Sequence, residues 1–220
     1  MQWNVGSNLS STSNDDLEPY LEAFLSQGGL AELAPLLRLT QLSITKEAIR
    51  YLPIVFQYYS AHDALKENTN IIMDIYGKIE DDSPANIKTY AFKSLNSLLS
   101  TMKAGSFSMI HKTAVKFSRQ TGKPAYSGLI KCLQVGQKDT WTDALVFLNS
   151  MLVRAPAEKN RSQLLARLEN LGLYNELRNL SKSENKDVNK QLLNMQINTR
   201  QVLPTMQYEV EVHKSKVKQL

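Results

Sequence analysis

Two segments of the chain carry nearly the same five residues, fifty-three positions apart. Residues 95–99 read LNSLL and residues 148–152 read LNSML. The apolar residues of the two segments recur with a helical period: Ile87, Ala91, Leu95 and Leu98 in the first, and Trp141, Leu145, Leu148 and Leu152 in the second. Both segments are therefore predicted to be amphipathic helices. Since no alternating run bounded by turn residues is long enough to favour a sheet, we expect an all-α chain.

A second recurrence involves glycines that precede short leucine-rich segments. Gly29, Gly128 and Gly172 each open such a segment. Gly128 and Gly172 are 44 residues apart, and Gly29 and Gly128 are 99 apart, close to twice that spacing. A copy without the glycine is predicted at residues 70–75, NIIMDI. A period in the forties with two or three helices per unit is typical of armadillo and HEAT arrays.

The repeat has a physical reason, because each unit exposes an apolar face that only a stacked neighbour can bury. The glycines are expected to let the chain turn sharply between helices. The sequence thus predicts an armadillo/HEAT-like right-handed superhelix of about four repeats with a C-terminal helix. The alternative is a helical bundle in which the two leucine-rich helices are unrelated.

The helix that contains LNSML has a predicted start signal, because Thr140-x-x-Asp143 resembles a capping box.

Three segments are predicted along the chain: a flexible leader over residues 1–14, an armadillo-like repeat domain over 15–183, and a C-terminal capping or partner helix over 184–220. Val188 and Leu192 could pack on the last repeat as a cap, which arrays need. A kink is expected near Pro204. Val210 and Val217 lie on one face beyond it, where a helix could dimerise or meet a partner. The open leader and the charged last helix make a fragment of a longer protein a reasonable expectation.

The composition argues against several functional classes. There is no HExxH, CxxC, GxSxG or GxxxxGK[ST] motif, and the three histidines are far apart, so we predict no enzyme, no metal and no cofactor. Cys132 is the only cysteine, which fits a reducing cytosol. The chain contains no apolar run of about 18 residues, and residues 1–16 lack the pattern of a signal peptide.

The net charge of +5 is unevenly distributed, because residues 83–138 contain no acidic residue. Within this window four cations follow the spacing i, i+4, i+7 and i+11, and they form a single predicted ridge if the helix extends that far: Lys112, Lys116, Arg119 and Lys123. Ile110, Ala114 and Phe117 supply the opposite, buried stripe. Such a ridge could dock an acidic partner surface or an anionic membrane, or it could be an ordinary solvated face. Since only Phe117 is available for stacking, the pattern argues against nucleic acid.

Asn96 and Asn149 occupy equivalent positions in the two LNS helices. In peptide-binding armadillo proteins an asparagine on the third helix of a unit binds the backbone of an extended ligand, because its amide both donates and accepts. The positions one turn earlier hold Phe92 and Leu145 instead of the tryptophan typical of nuclear-import cargo receptors. Both asparagines are therefore candidate partner-binding residues. In the alternative interpretation each bonds the backbone of an adjacent repeat.

The carboxyl-terminal half of the repeat region resembles two known families. Residues 127–180 contain LIKCLQ followed by ALVFLNSMLVRAP, which resembles the armadillo-like domain of the engulfment-and-motility (ELMO) proteins. The stretches NRSQLLARLENLGLYNEL and DVNKQLLNMQINTRQ are similar to the formin homology 3 region of Diaphanous-type formins. Neither an actin-assembling formin homology 2 region nor a polyproline run is present, so the resemblance does not imply actin polymerisation by this chain.

Both resemblances imply the same role. The chain would be a non-enzymatic adaptor that binds a Rho-family small GTPase or its exchange factor in regulation of the actin cytoskeleton. Its expected location is cytoplasmic, with recruitment to the plasma membrane or the actin cortex. The alternatives are a generic peptide- or anionic-lipid-binding armadillo module and a structural subunit of a larger assembly, the last favoured if the C-terminal helix mediates oligomerisation.

Overall fold

The computed structural model describes residues 14–102 and 105–199, and within them every regular element is an α-helix. The helices are α1 (Asn14–Ser26), α2 (Gly29–Leu36), α3 (Leu42–Val55), α4 (Tyr59–Glu67), α5 (Asn70–Glu80), α6 (Ala85–Thr101), α7 (Ser106–Thr121), α8 (Ser127–Val135), α9 (Lys138–Arg154), α10 (Glu158–Asn170), α11 (Leu173–Leu180) and α12 (Lys186–Thr199). The all-helical prediction is confirmed.

These helices form four successive units of three. The third helices of the units, α3, α6, α9 and α12, pack side by side in chain order, and each contacts the next. The second helices, α2, α5, α8 and α11, form another layer with the same order. One continuous hydrophobic core runs between the layers, from Leu25 in the first unit to Met195 in the fourth. The predicted solenoid of about four repeats is therefore confirmed, and the alternative of an unrelated bundle is excluded.

Both recurrences of the sequence map onto these layers. LNSLL lies in α6 and LNSML lies in α9, which are adjacent third helices. The segments opened by Gly29, Gly128 and Gly172 form α2, α8 and α11, and the predicted glycine-free copy begins α5. The second helix of every unit was thus correctly located.

The unit length is irregular, because the first helices of the units differ in length. Successive third helices begin 43, 53 and 48 residues apart. The first helix of the third unit, α7, has 16 residues, whereas α4 in the second unit has 9. This longer helix explains why the two LNS motifs are separated by more than the 44 residues between Gly128 and Gly172.

The predicted capping box at Thr140 is wrong. The helix begins at Lys138 with Gln137 as its N-cap, so Thr140 already lies inside the first turn. Its side chain is buried and its Oγ1 lies 3.3 Å from Oγ1 of Thr89 on α6. The hydroxyl therefore takes part in contact between α6 and α9 instead of capping a free N–H group.

The predicted segment boundaries lie close to helix ends. α1 begins at Asn14, the last residue of the predicted leader, and residues 1–13 lie outside the described residues. α12 packs against α9 and α11 as the third helix of the fourth unit, with Val188 fully buried. The predicted kink at Pro204 and the predicted face with Val210 and Val217 lie outside the described residues. The three-segment division stays a prediction.

A buried carboxylate links the second and third units. Glu80, at the end of α5, is 6% exposed. Its Oε1 accepts a hydrogen bond of 2.6 Å from the Tyr76 hydroxyl, and its Oε2 accepts bonds from Ser127 Oγ at 2.9 Å and the Gly128 N–H at 2.6 Å. Tyr76 Oη in turn accepts the Tyr126 N–H at 2.9 Å. Glu80 thereby satisfies a free N–H group at the start of α8, where negative charge is favoured by the helix dipole.

Gly128 serves a different purpose from the predicted turn. The left-handed residue before α8 is Tyr126, with φ of 73°, whereas Gly128 lies inside the first turn of the helix. A Cβ atom at Gly128 would overlap the backbone carbonyl oxygen of Ile79 and lie 2.6 Å from Cα of Glu80. The glycine is required because α5 and α8 approach each other backbone to backbone. The predicted turn role does hold at Gly172, which has φ of 92°.

We predict that Gly128→Ala destabilises the fold by about 1–3 kcal/mol, because the added methyl group overlaps backbone atoms that cannot rotate away. The matched control is Gly77→Ala on α5, where a Cβ atom would meet only the edge of the Phe117 ring at 3.3 Å. There the gain in helix propensity of about 1 kcal/mol should offset the small adjustment of the ring. Urea unfolding followed by circular dichroism measures both, and equal stability of the two variants would contradict the role assigned to Gly128.

Candidate functional site

Asn149 lies between two neighbouring third helices. It is 7% exposed, and its Nδ2 on α9 donates to the backbone oxygen of Gln191 on α12 at 2.9 Å and to Oε1 of the same residue at 3.1 Å. Its Oδ1 accepts a longer bond of 3.5 Å from Nδ2 of Asn198. This is the geometry of the alternative interpretation, in which the amide bonds an adjacent repeat. Its predicted role in partner binding stays a prediction.

Asn96 occupies the equivalent position on α6 but makes a weaker contact. Its Nδ2 donates to the backbone oxygen of Asp143 on α9 at 3.4 Å. Its Oδ1 is buried and has no hydrogen-bond partner within the part of the chain that the structure describes. An unpaired buried acceptor has a cost in free energy, so this contact stabilises the fold less than the one at Asn149 does. The structure does not bring Asn96 and Asn149 to one site, because each bonds the next third helix along the layer.

A groove of about 300 Å³ opens beside Asn149, where α6, α9 and α12 meet. Its polar lining includes several side-chain amides, among them Asn149 and Gln191, and its apolar lining includes Val146, Val153 and Ile197. Val153 and Ile197 are 54% and 53% exposed, so the apolar rim is open to a partner. Amide groups suit backbone recognition and the aliphatic rim adds apolar contact, which together suit an extended or helical polypeptide.

Arg154 also lines this groove. It is the last residue of α9, and its Nε donates to the backbone oxygen of Leu99, near the end of α6, at 2.9 Å. A cation at the carboxyl end of a helix is favoured by the helix dipole and satisfies a free carbonyl group. Arg154 therefore fixes the relative position of the two helices that carry the LNS motifs.

The predicted basic ridge is shorter in the structure than in the sequence. Lys112, Lys116 and Arg119 are exposed on α7, opposite the buried Ile110 and Ala114. The helix ends at Thr121 because Gly122 adopts φ of 74°. Lys123 therefore leaves the ridge, and its Nζ donates to the backbone oxygen of Glu80 at 3.3 Å. The placement of Lys123 on the ridge is wrong, whereas the other three cations share one face.

Acidic residues outside the 83–138 window neutralise other cations within it. Lys131 Nζ lies 2.8 Å from Asp82 Oδ1, and Lys93 Nζ lies 3.8 Å from Asp143 Oδ2. Lys88 is buried and donates to the backbone oxygen of Ile79 at 3.3 Å. Lys112, Lys116 and Arg119 therefore form the group of exposed cations on α7, and the described chain gives none of the three an ion pair.

The carboxyl group of Asp143 lies in the contact between α6 and α9. Burial raises its pKa from 3.8 to about 6, and Lys93 opposes this shift. Lys93 Nζ and Asp143 Oδ2 are 3.8 Å apart, so this ion pair is too long to compensate for the loss of hydration of the carboxylate. Asp139 adds repulsion that also raises the pKa.

The described residues meet the requirements of neither a metal site nor a membrane-spanning helix. Within residues 14–102 and 105–199, no group of three or more histidine, cysteine, aspartate or glutamate side chains could hold a metal ion. In the same part of the chain, no helix combines the length and apolar character that crossing a bilayer requires. The candidate sites are therefore the groove and the basic face of α7.

Sequence reasoning missed the groove and the buried Glu80. The groove depends on α12 packing against α9, and a single helical pattern does not show which helices become neighbours. Glu80 did carry a signal, because it follows Ile72 and Tyr76 at successive intervals of four on the apolar stripe of α5. An acid on a buried stripe indicates a partner, and here the partner is the start of α8.

The chain is similar in sequence to two formins. No family model matches the chain. Formin-C of Dictyostelium discoideum is 23% identical over 180 residues, which cover 82% of this chain and 15% of that protein. Formin-G of the same organism is 21% identical over 201 residues, which cover 87% of this chain and 19% of the relative. The chain thus spans less than a fifth of the length of these relatives.

The fold is similar to that of a formin of known structure. A crystal structure of E. histolytica Formin1 bound to EhRho1-GTPgammaS superposes with a TM-score of 0.70 at 15% sequence identity, and the match covers 92% of this chain and 71% of that one. This likeness shows the fold. Together with the sequence matches it supports the formin part of the resemblance, while the ELMO part stays a prediction.

We predict that Asn149→Ala lowers the free energy of unfolding by about 1–2 kcal/mol, because it removes two bonds of good geometry from the contact between α9 and α12. Asn96→Ala should cost less than about 0.5 kcal/mol, since it removes one long bond and also a buried, unpaired oxygen. Urea denaturation of the two variants provides the measurement. A larger loss of stability for Asn96→Ala than for Asn149→Ala would contradict the weak bonding assigned to the Asn96 amide.

We predict that the contribution of Asp143 to stability decreases as the pH rises from about 4 to about 6, by up to about 2 kcal/mol. The raised pKa of Asp143 means that the folded chain binds this proton more tightly than the unfolded chain does, so ionisation favours unfolding. Asp143→Asn should remove this part of the pH dependence. The measurement is urea unfolding across this pH range, and Asp82→Asn is the control, because Lys131 lowers the pKa of that exposed carboxyl instead. Identical profiles for wild type and Asp143→Asn would contradict the assignment.

Proposed function

We propose that this chain is a non-enzymatic regulatory module that binds a Rho-family GTPase and takes part in control of the actin cytoskeleton. The observation that carries the proposal is the fold match to a formin whose crystal structure contains a Rho protein with GTPgammaS. The similarity to Formin-C and Formin-G over more than four fifths of the chain supports it. The matched region is a small part of those relatives, so actin assembly itself is not proposed for this chain.

We place the GTPase at the third-helix layer, around the groove between α6, α9 and α12. This surface offers exposed aliphatic side chains, Val153 and Ile197, beside a row of amides. Such a combination of an apolar centre and polar surroundings is the usual anatomy of a protein interface. The side chain of Asn149 is already bonded to Gln191, so it loses little conformational entropy when a partner binds.

The test is retention of Rho-family GTPases, each loaded with GDP or GTPgammaS, by the immobilised chain. We expect a member loaded with GTPgammaS to be retained in preference to its GDP form. The double variant Val153→Asp, Ile197→Asp should reduce affinity at least about tenfold, because it puts two charges into an apolar contact. Both residues are more than half exposed, so the fold should tolerate the change.

Val135→Asp is the matched control. Val135 ends α8 in the second-helix layer and is 74% exposed, so it tests an aliphatic-to-aspartate change away from the groove. Its affinity should equal that of the wild type. Retention of no Rho-family member in either nucleotide state contradicts the proposed function, and equal loss in the control contradicts the placement at the groove.

A further inference from the structure

The outer face of α7 carries three cations whose charges no described acid neutralises. Lys112, Lys116 and Arg119 are exposed and lie on one side of the helix, at intervals of four and three residues. Within the described part of the chain none of them forms an ion pair, in contrast to Lys93 and Lys131. The apolar side of α7 is packed in the core, so the helix is held with its basic face outward.

A cation of the next first helix in the chain, α10, acts on a residue of α7. Arg167 of α10 is exposed, and its charge adds to burial in lowering the pKa of His111 on α7. The charge of Arg167 therefore adds to the positive field around α7.

The composition of this face distinguishes among polyanionic partners. Protein interfaces are depleted in lysine and centre on aromatic or aliphatic anchors, but none of the large exposed hydrophobic residues of the described chain lies on α7. Single-stranded nucleic acid requires exposed aromatic rings for stacking, and Phe117 is packed against Tyr76 at 5.7 Å between ring centroids. A bilayer of anionic lipids requires neither an anchor nor a matching shape, because its charge is spread over a plane.

We propose that the outer face of α7 binds the anionic headgroups of a lipid bilayer through Lys112, Lys116 and Arg119. The groove of the third-helix layer is lined by α6, α9 and α12, not by α7. The two surfaces therefore use different residues, and membrane binding leaves the groove available to a protein partner. The chain could hold a membrane and a GTPase at the same time.

The experiment is co-sedimentation of the full chain with phosphatidylcholine vesicles that either contain or lack phosphatidylserine. We expect binding only to the vesicles with phosphatidylserine, and release as the salt concentration rises. The triple variant Lys112→Gln, Lys116→Gln, Arg119→Gln should weaken the partition coefficient on the order of 100-fold, since each cation near the surface contributes about fivefold.

The matched control is Lys182→Gln, Lys186→Gln, Lys190→Gln, which removes the same number of charges from exposed positions around the start of α12. It should change the partition coefficient by less than about tenfold, through the general field alone. Circular dichroism verifies that both variants are folded.

Three outcomes would overturn the proposal. They are no binding to vesicles with phosphatidylserine, equal loss in the two triple variants, and binding of duplex DNA in place of vesicles at the same salt concentration. The α7 variant should still retain the GTPase, so a negative vesicle result leaves the proposed function standing. Conversely, vesicle binding without GTPase retention would contradict the proposed function only.

Discussion

The contact between the carboxylate of Glu80 and the start of α8 is the interaction on which the middle of the array depends. In a solenoid, stability is approximately the sum of the units and of the interfaces between neighbours, so each interface is indispensable to the continuity of the core. A carboxylate that is buried at such an interface must have all its oxygens bonded, and Tyr76, Ser127 and Gly128 provide the donors. Tyr76 links this carboxylate to the turn before α8, because its hydroxyl also accepts the N–H of Tyr126, the residue in the left-handed conformation.

The arrangement of helices in layers explains why the molecule has two separate surfaces. The third helices bond one another through side chains that reach neighbouring backbones, and their outer faces form the groove. Among the first helices, α7 is longer than α4 and carries the exposed cations Lys112, Lys116 and Arg119. The longer α7 does not interrupt the layers, because α6 still contacts α9 and α5 still contacts α8.

The sequence predicted most of the fold but less of the sites. Period and spacing located the second and third helices, because burial of a repeated apolar face is a local pattern. Which helices become neighbours is not local, so the bond from Asn149 to Gln191 was visible only in the structure. The sequence also did not show which residues adopt the left-handed conformation. Gly122 ends α7 before Lys123, and Tyr126 makes the turn before α8 while Gly128 permits close packing.

The bonds between third helices have a mechanical consequence. Thr101 reaches the backbone oxygen of Phe56 at 2.9 Å, Arg154 reaches Leu99 at 2.9 Å, and Asn149 reaches Gln191 at 2.9 Å. These bonds lie roughly across the helices, and therefore along the direction in which the units stack. Because the interfaces between units are arranged in series, a pulling force applied along the array would act on all of these bonds. The hydrogen bonds within each helix would bear little of that force. Under tension the units should thus part from one another before any single helix unwinds.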